Sequence, residues 1–332
     1  MKLNYKNTIE RQNVDINKLR PGKSYDYLIE NRTGDFESLI SNEERLKEML
    51  KKIDCPLCGA DAYEHKFKKD NLNVVRCKQC GCIYVNPVFD TEKYFKAYKS
   101  EDYQKIGKKL SESSHDYRKE RFGKERVEYI EKFHNDTLPK TMLDIGCSTG
   151  FVLEVAKERG WDATGIELNP SSVEFARKRN LTVMDKPLEE INFSKKFSAI
   201  TLYDVLEHLP DPKKILHKVR ELLEKDGNIF IYVPNYESAS KELLGVQNSH
   251  FIWPTHHLTY FTPETLKEFL ENNGFEVIFW ETQGLDVYDW LWYLEEKTDS
   301  DTTLLRKHAE TFQSYINGSG HGKNLRMYAK KI

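Results

Sequence analysis

The chain has no long apolar run. Stretches such as Ile229 to Val233 (IFIYV) are far too short to cross a bilayer, and the opening residues MKLNYKNTIERQ lack the apolar centre of a secretion signal. Charge of one sign is missing too: 51 Lys and Arg stand against 53 Asp and Glu in 332 residues, so no net field draws the protein to nucleic acid or an anionic membrane. A cytoplasmic protein with a small-molecule partner and no membrane span is the expectation. No internal repeat is visible. Cysteine is nearly absent outside one stretch, because five of the six lie between Cys55 and Cys82 and only Cys147 lies elsewhere. In a reducing compartment such clustering speaks against disulfides.

Within that stretch, CPLC (Cys55, Cys58) and CKQC (Cys77, Cys80) are two knuckles with the spacing of a zinc site. Four thiolates close a tetrahedral shell around Zn²⁺ and leave no position for substrate water, so the expected role is structural. A redox pair or plain buried thiols are the competing readings. Cys82 reads as a packed neighbour, since the knuckle already has its two ligands.

The length suits one α/β domain plus something smaller. Residues 1–40 are polar and irregular and read as an extended or partly disordered arm. Residues 41–90 read as a helix, with Ser41 and Glu44 as a capping box and Leu46, Met49, Leu50 and Ile53 as its apolar stripe, followed by the zinc-binding module. Residues 91–138 form a helical connector carrying Tyr94, Tyr98, Tyr103, Tyr117 and Tyr129. From 139 to 332, apolar strands (TMLDI, DATGI, LTVM, FSAITLY, NIFIYV) alternate with helices, and a helical insert over about 286–316 separates FEVIFW from a last strand, LRMYAKK. Such alternation specifies an α/β fold with a mostly parallel sheet covered on both faces.

The turn LDIGCSTGF, Leu143 to Phe151, decides the chemistry. Its GxSxG spacing is that of a hydrolase elbow, but an elbow follows several βα units and this turn follows the first recognisable strand. A nicotinamide fingerprint needs GxGxxG, which is not present. What remains is a small-residue turn with Asp144 at the end of the first strand and Glu167 at the end of the second, where a carboxylate can accept the hydroxyls of a ribose.

With GIELNP around Glu167, YDVLEHLPDP from Tyr203 and GNIFIYVPN, residues Thr141 to about Phe279 resemble class I S-adenosylmethionine-dependent methyltransferases, with a Rossmann-like sheet whose last strand is antiparallel. The resemblance implies S-adenosylmethionine (SAM) as cofactor. It assigns Asp144, Gly146, Cys147, Ser148 and Gly150 to the first motif, Glu167 and Leu168 to the ribose, Asp185 to the adenine region and Tyr203 to the fourth motif. The family commonly has glycine where Ser148 stands, so the backbone there is expected in the αR or β region.

On the substrate side, FIWPTHHLTYFTPETL (Phe251 to Leu266) follows the fifth strand at the carboxyl edge, where ligands bind open α/β sheets. His257 is the first candidate base, His208 the second and His256 the alternative; a histidine near neutral pKa suits removal of a hydroxyl proton. The stretch resembles the EHxxYFS motif of C-methyltransferases acting on nucleotide-bound keto sugars. Here His256 replaces the glutamate, and the residues after Phe261 are too few to form the further α/β domain of those enzymes. It also resembles surface-glycan methyltransferases, which implies a sugar hydroxyl in a nucleotide sugar or glycan precursor as acceptor. Two other classes compete: an RNA methyltransferase, with Lys66 to Lys69 (KFKK) as a basic patch, and a non-catalytic partner protein that keeps the fold.

Overall fold

The computed structural model describes residues 14–19, 41–90 and 112–332. Most of the expected arm, and Tyr94, Tyr98 and Tyr103 of the connector, lie outside the described residues. Within them, the chain begins with a short helix, Ile16–Leu19, and the Asp15 amide donates to the Tyr117 hydroxyl at 2.7 Å.

After the helix Glu43–Met49 come five short strands: β1 (Leu50–Lys51), β2 (Tyr63–Lys69), β3 (Leu72–Cys77), β4 (Ile83–Val85) and β5 (Val88–Phe89). The α/β part supplies β6 (Thr141–Ile145), β7 (Asp162–Ile166), β8 (Thr182–Met184), β9 (Phe197–Tyr203) and β10 (Leu223–Pro234). Then follow β11 (Thr259–Tyr260), β12 (Phe275–Gln283) and β13 (Asn324–Lys331).

Seven strands make the main sheet in the order β12-β13-β10-β9-β6-β7-β8. The strands from β6 to β10 pair in parallel, whereas β13 runs antiparallel to both neighbours. This is the expected α/β sheet, mostly parallel with an antiparallel last strand. Side chains alternate across it as the pleat requires: Leu143, Ile145, Ile200, Leu202, Ile229 and Ile231 fill one face, while Met142, Ala199 and Phe230 fill the other with Val127, Ile130 and Phe151. Each fully buried side chain of this size contributes roughly 1.5–3 kcal/mol.

The helices start where the local sequence says they should. Asn169 accepts from the Ser171 and Ser172 amides ahead of Pro170–Lys178, Asp211 caps Pro212–Leu222, and Thr262 with Thr265 forms a capping box before Pro263–Glu271. Between β12 and β13 stand three helices, Asp286–Thr298, Thr303–Lys307 and Ala309–Gly318.

The cysteine segment does not close on itself. Its sheet has the order β11-β4-β3-β2, so the fourth strand comes from the loop after β10, with Thr259 opposite Tyr84 and Tyr260 opposite Ile83. Phe251, Ile252, Leu258 and Tyr260 share one apolar cluster with Leu72, Val74, Ile83 and Val85. Lys69 adds two hydrogen bonds, to the carbonyls of Val246 at 2.8 Å and Ser249 at 2.9 Å. The segment that carries the candidate histidines therefore rests on the cysteine module.

Candidate functional site

The glycine turn after β6 is pinned to β7. The Gly146 and Cys147 amides donate to the Ile166 carbonyl at 2.8 and 3.0 Å, and a Cβ on Gly146 would sit 2.6 Å from Val205 Cγ2. Ser148 has φ of +50°, so the expectation of an αR or β backbone is corrected: the turn takes the left-handed region at Gly146, Ser148 and Gly150 in succession. That geometry aims the Ser148 amide at Glu167, 2.8 Å from its Oε2. The other oxygen of Glu167 accepts from the amides of Leu168 (2.8 Å) and Asn169 (2.7 Å). Burial pushes the Glu167 carboxyl up and the three amides oppose it, so the group is held in place as an acceptor.

Asp144 is buried and accepts a 2.6 Å hydrogen bond from Thr201 Oγ1; burial raises its pKa to about 6. Cys147 is buried in a cluster with Leu153, Val173 and Leu181. Leu168 and Asp185 line one groove with Pro170, Val173 and Arg177. Asp185 is exposed there and pairs with Arg177 at 3.3 Å. Tyr203 is buried with its hydroxyl unpartnered, its ring under the Arg126 guanidinium at 4.2 Å.

The residue beside it was missed. Asp204, at φ of +57°, keeps solvent access while burial pushes its carboxyl up and Arg126, Arg118 and Lys323 pull it down. Both arginines lie in helices ahead of β6, where charges along the chain look like a solvated face. His115, on the same segment, bonds Thr149 Oγ1 at 2.9 Å and Glu154 at 3.0 Å, fastening that helix to the glycine turn.

His208 and His257 come together, with ring centroids 4.8 Å apart. The Nδ1 of His208 lies 2.9 Å from the His256 carbonyl and the Nδ1 of His257 2.7 Å from that of Phe251, which fixes the proton on Nδ1 in each and leaves Nε2 as the lone pair. Burial pulls both rings far below their ordinary value, His208 to about 4 and His257 to about 3, so the expectation of a base near neutral pKa is corrected. His256 does not join them. Its ring is 1% exposed, lies 4.0 Å from Trp253 and bonds Thr255, so it has no surface for an acceptor and contributes its carbonyl instead.

The four cysteines converge separately. Cys55 and Cys80 sulfurs are 3.5 Å apart and Cys58 and Cys77 sulfurs 3.6 Å, and the four Sγ atoms lie within 4.8 Å of one another. Cys55 is held low chiefly by its hydrogen bond with Cys80, which the same contact pushes up. Cys82 is outside that group of four and donates to the Ile83 carbonyl. No described helix is long and apolar enough to cross a membrane.

Comparison with known proteins places a methyltransferase domain at residues 115–278. A ubiquinone biosynthesis O-methyltransferase from Actinobacillus pleuropneumoniae serotype 5b is 32% identical over 122 residues, covering 33% of this chain and 52% of the relative. Its counterpart in Erwinia tasmaniensis is 27% identical over 123 residues, covering 35% and 51%. The chain thus spans about half the length of the curated relatives it matches. A SAM-dependent methyltransferase from Archaeoglobus fulgidus is structurally similar, with a TM-score of 0.47 and 25% identity over 69% of this chain and 100% of that one.

Proposed function

We propose that this chain, whose residues 115–278 match a methyltransferase domain, transfers the methyl group of SAM to a hydroxyl of a small molecule. The observation that carries the reading is Glu167, a carboxylate at the end of β7 held by three backbone amides beside the glycine turn. Its position matches the ribose acceptor of an adenosine. SAM supplies an electrophilic methyl on a sulfonium. Asp144 and the turn hold its methionine end, Glu167 its ribose, and the Leu168–Asp185 groove its adenine. Arg118 and Arg126 act on the Asp204 carboxyl at the end of β9, and His257, with His208 beside it, offers the lone pair that takes the acceptor proton as the oxygen attacks. Most of the rate comes from aligning the acceptor behind the methyl.

O-methylation agrees with the names of the curated relatives, which act in ubiquinone biosynthesis. A sugar hydroxyl is the acceptor suggested by the HHLTYFT stretch. Calorimetry with SAM and with its demethylated product tests the cofactor; absence of heat with both overturns the reading. Extracts of cells with and without the gene, compared by mass spectrometry, then identify the pair of compounds differing by one methyl.

The cysteine cluster fits zinc. Sulfurs bonded at 2.3 Å in a tetrahedron lie about 3.8 Å apart, close to the 3.5 and 3.6 Å separations here. Cys55, Cys58, Cys77 and Cys80 would hold one ion with no open position, so its chemistry is structural.

A further inference from the structure

A second constellation stands between the histidines and the turn after β9. Glu207 is 1% exposed, and neither of its carboxylate oxygens has a hydrogen-bond partner. A carboxylate in that condition needs a proton or a cation, because desolvating it unpaired is costly. Its Oε1 is 3.8 Å from His208 Nε2, and one ligand atom from each of Glu207, His208 and His257 lies within 4.8 Å of the others. Both histidines present Nε2 lone pairs, since their Nδ1 atoms are committed to the His256 and Phe251 carbonyls. A backbone carbonyl on the far ring nitrogen is the support that metal-bound histidines have. The two segments are held in register by the Leu258 amide, which donates to the Glu207 carbonyl at 2.7 Å.

We infer that Glu207, His208 and His257 form a binding site for a divalent transition-metal cation. Two imidazoles and one carboxylate suit a first-row divalent ion, and three protein ligands leave positions open to oxygen atoms of a ligand. Ligand bonds near 2 Å need closer approach than the present separations, which side-chain movement of about 1 Å supplies. The inference rests on the methyltransferase reading only for what the cation does there. A bound cation would make an acceptor hydroxyl easier to ionise, with its proton lost to bulk water; the acceptor oxygen then bonds to the methyl carbon as the S–CH₃ bond of the sulfonium breaks and S-adenosylhomocysteine leaves. With the cation bound, His208 and His257 are its ligands, and the proton that the His257 lone pair takes in the cation-free site goes to water instead. An acceptor with two neighbouring oxygens would chelate best.

The test is a titration of the full-length, zinc-loaded protein with Mn²⁺, following the electron paramagnetic resonance signal of the free ion. Mn²⁺ is a hard ion that the thiolate cluster does not take. The expected result is one bound Mn²⁺ per chain, with the Kd raised at least about tenfold in Glu207→Gln and in His257→Ala and unchanged in His217→Ala, an exposed histidine paired with Asn273. Calorimetry with S-adenosylhomocysteine on the same samples reports folding and cofactor binding independently. Wild type that binds Mn²⁺ no better than Glu207→Gln overturns the cation site, and retained nucleoside binding then leaves the methyltransferase reading standing. Mn²⁺ binding without any nucleoside binding supports the site and sinks that reading.

Discussion

The Val85 amide donates to the Leu258 carbonyl across 2.9 Å, so a strand of the cysteine module is bonded to the residue that follows His257. The candidate base and the candidate zinc site, 177 sequence positions apart from Cys80 to His257, are mechanically one unit through β4 and β11.

Loss of the metal should therefore be felt at the acceptor and not at the cofactor. Cys55→Ser is expected to lower zinc content, speed amide exchange in Thr259 and Tyr260, and reduce turnover at least about tenfold through lost positioning. The Kd for S-adenosylhomocysteine should stay within about threefold of wild type, because Glu167 and the glycine turn are held by β6 and β7. Equal losses of cofactor binding and turnover would show that the module supports the whole fold instead.

Glu167→Ala removes the acceptor held at the end of β7. A hydrogen bond to a charged group is worth about 1.5–3 kcal/mol, so cofactor affinity should fall at least about tenfold in calorimetry. The variant also strands the amides of Ser148, Leu168 and Asn169, so its melting temperature should drop. Unchanged affinity would remove Glu167 from the site.

Asp144 gives a pH signature in stability. Its unfolded pKa is about 3.9 and burial raises the folded value to about 6. The folded state therefore holds this proton more tightly, and the group's contribution favours folding below about pH 4 and is lost as pH rises through about 6. The loss amounts to about 2–3 kcal/mol. Asp144→Asn, which keeps an acceptor for Thr201, should be more stable than wild type at pH 7 and no more stable at pH 4 in urea melts. An unaltered difference between the two pH values would contradict the buried carboxylate.

The two adjacent histidines should separate cleanly by mutation. His257→Ala is expected to depress turnover by a factor of about 10²–10⁴ with cofactor affinity unchanged. His256→Ala keeps the carbonyl that orients His208, so its effect should appear mainly as lost stability from the Trp253 contact. Single-turnover rates with both variants decide the matter, and near-full activity in His257→Ala would make that ring a packing residue.

Much of the molecule was legible along the chain. Strand periodicity, the caps Asn169, Asp211 and Thr262, the glycine turn and the CxxC spacing are all encoded within a few residues, where backbone sterics and local hydrogen bonds act. Tertiary structure alone decided the rest, because it consists of contacts between distant segments. Arg326 stands in the last strand with no partner near it in sequence, yet it is 1% exposed between Glu281 at 2.8 Å and Glu125 at 2.7 Å, the latter 201 positions away. Ser148 reaches a left-handed backbone because Glu167 accepts its amide, and β11 joins the cysteine sheet because β4 offers it an edge. Glu207 reads as one more acidic residue until folding removes its water and sets His208 and His257 before it; a buried carboxylate acquires its chemistry only from what surrounds it.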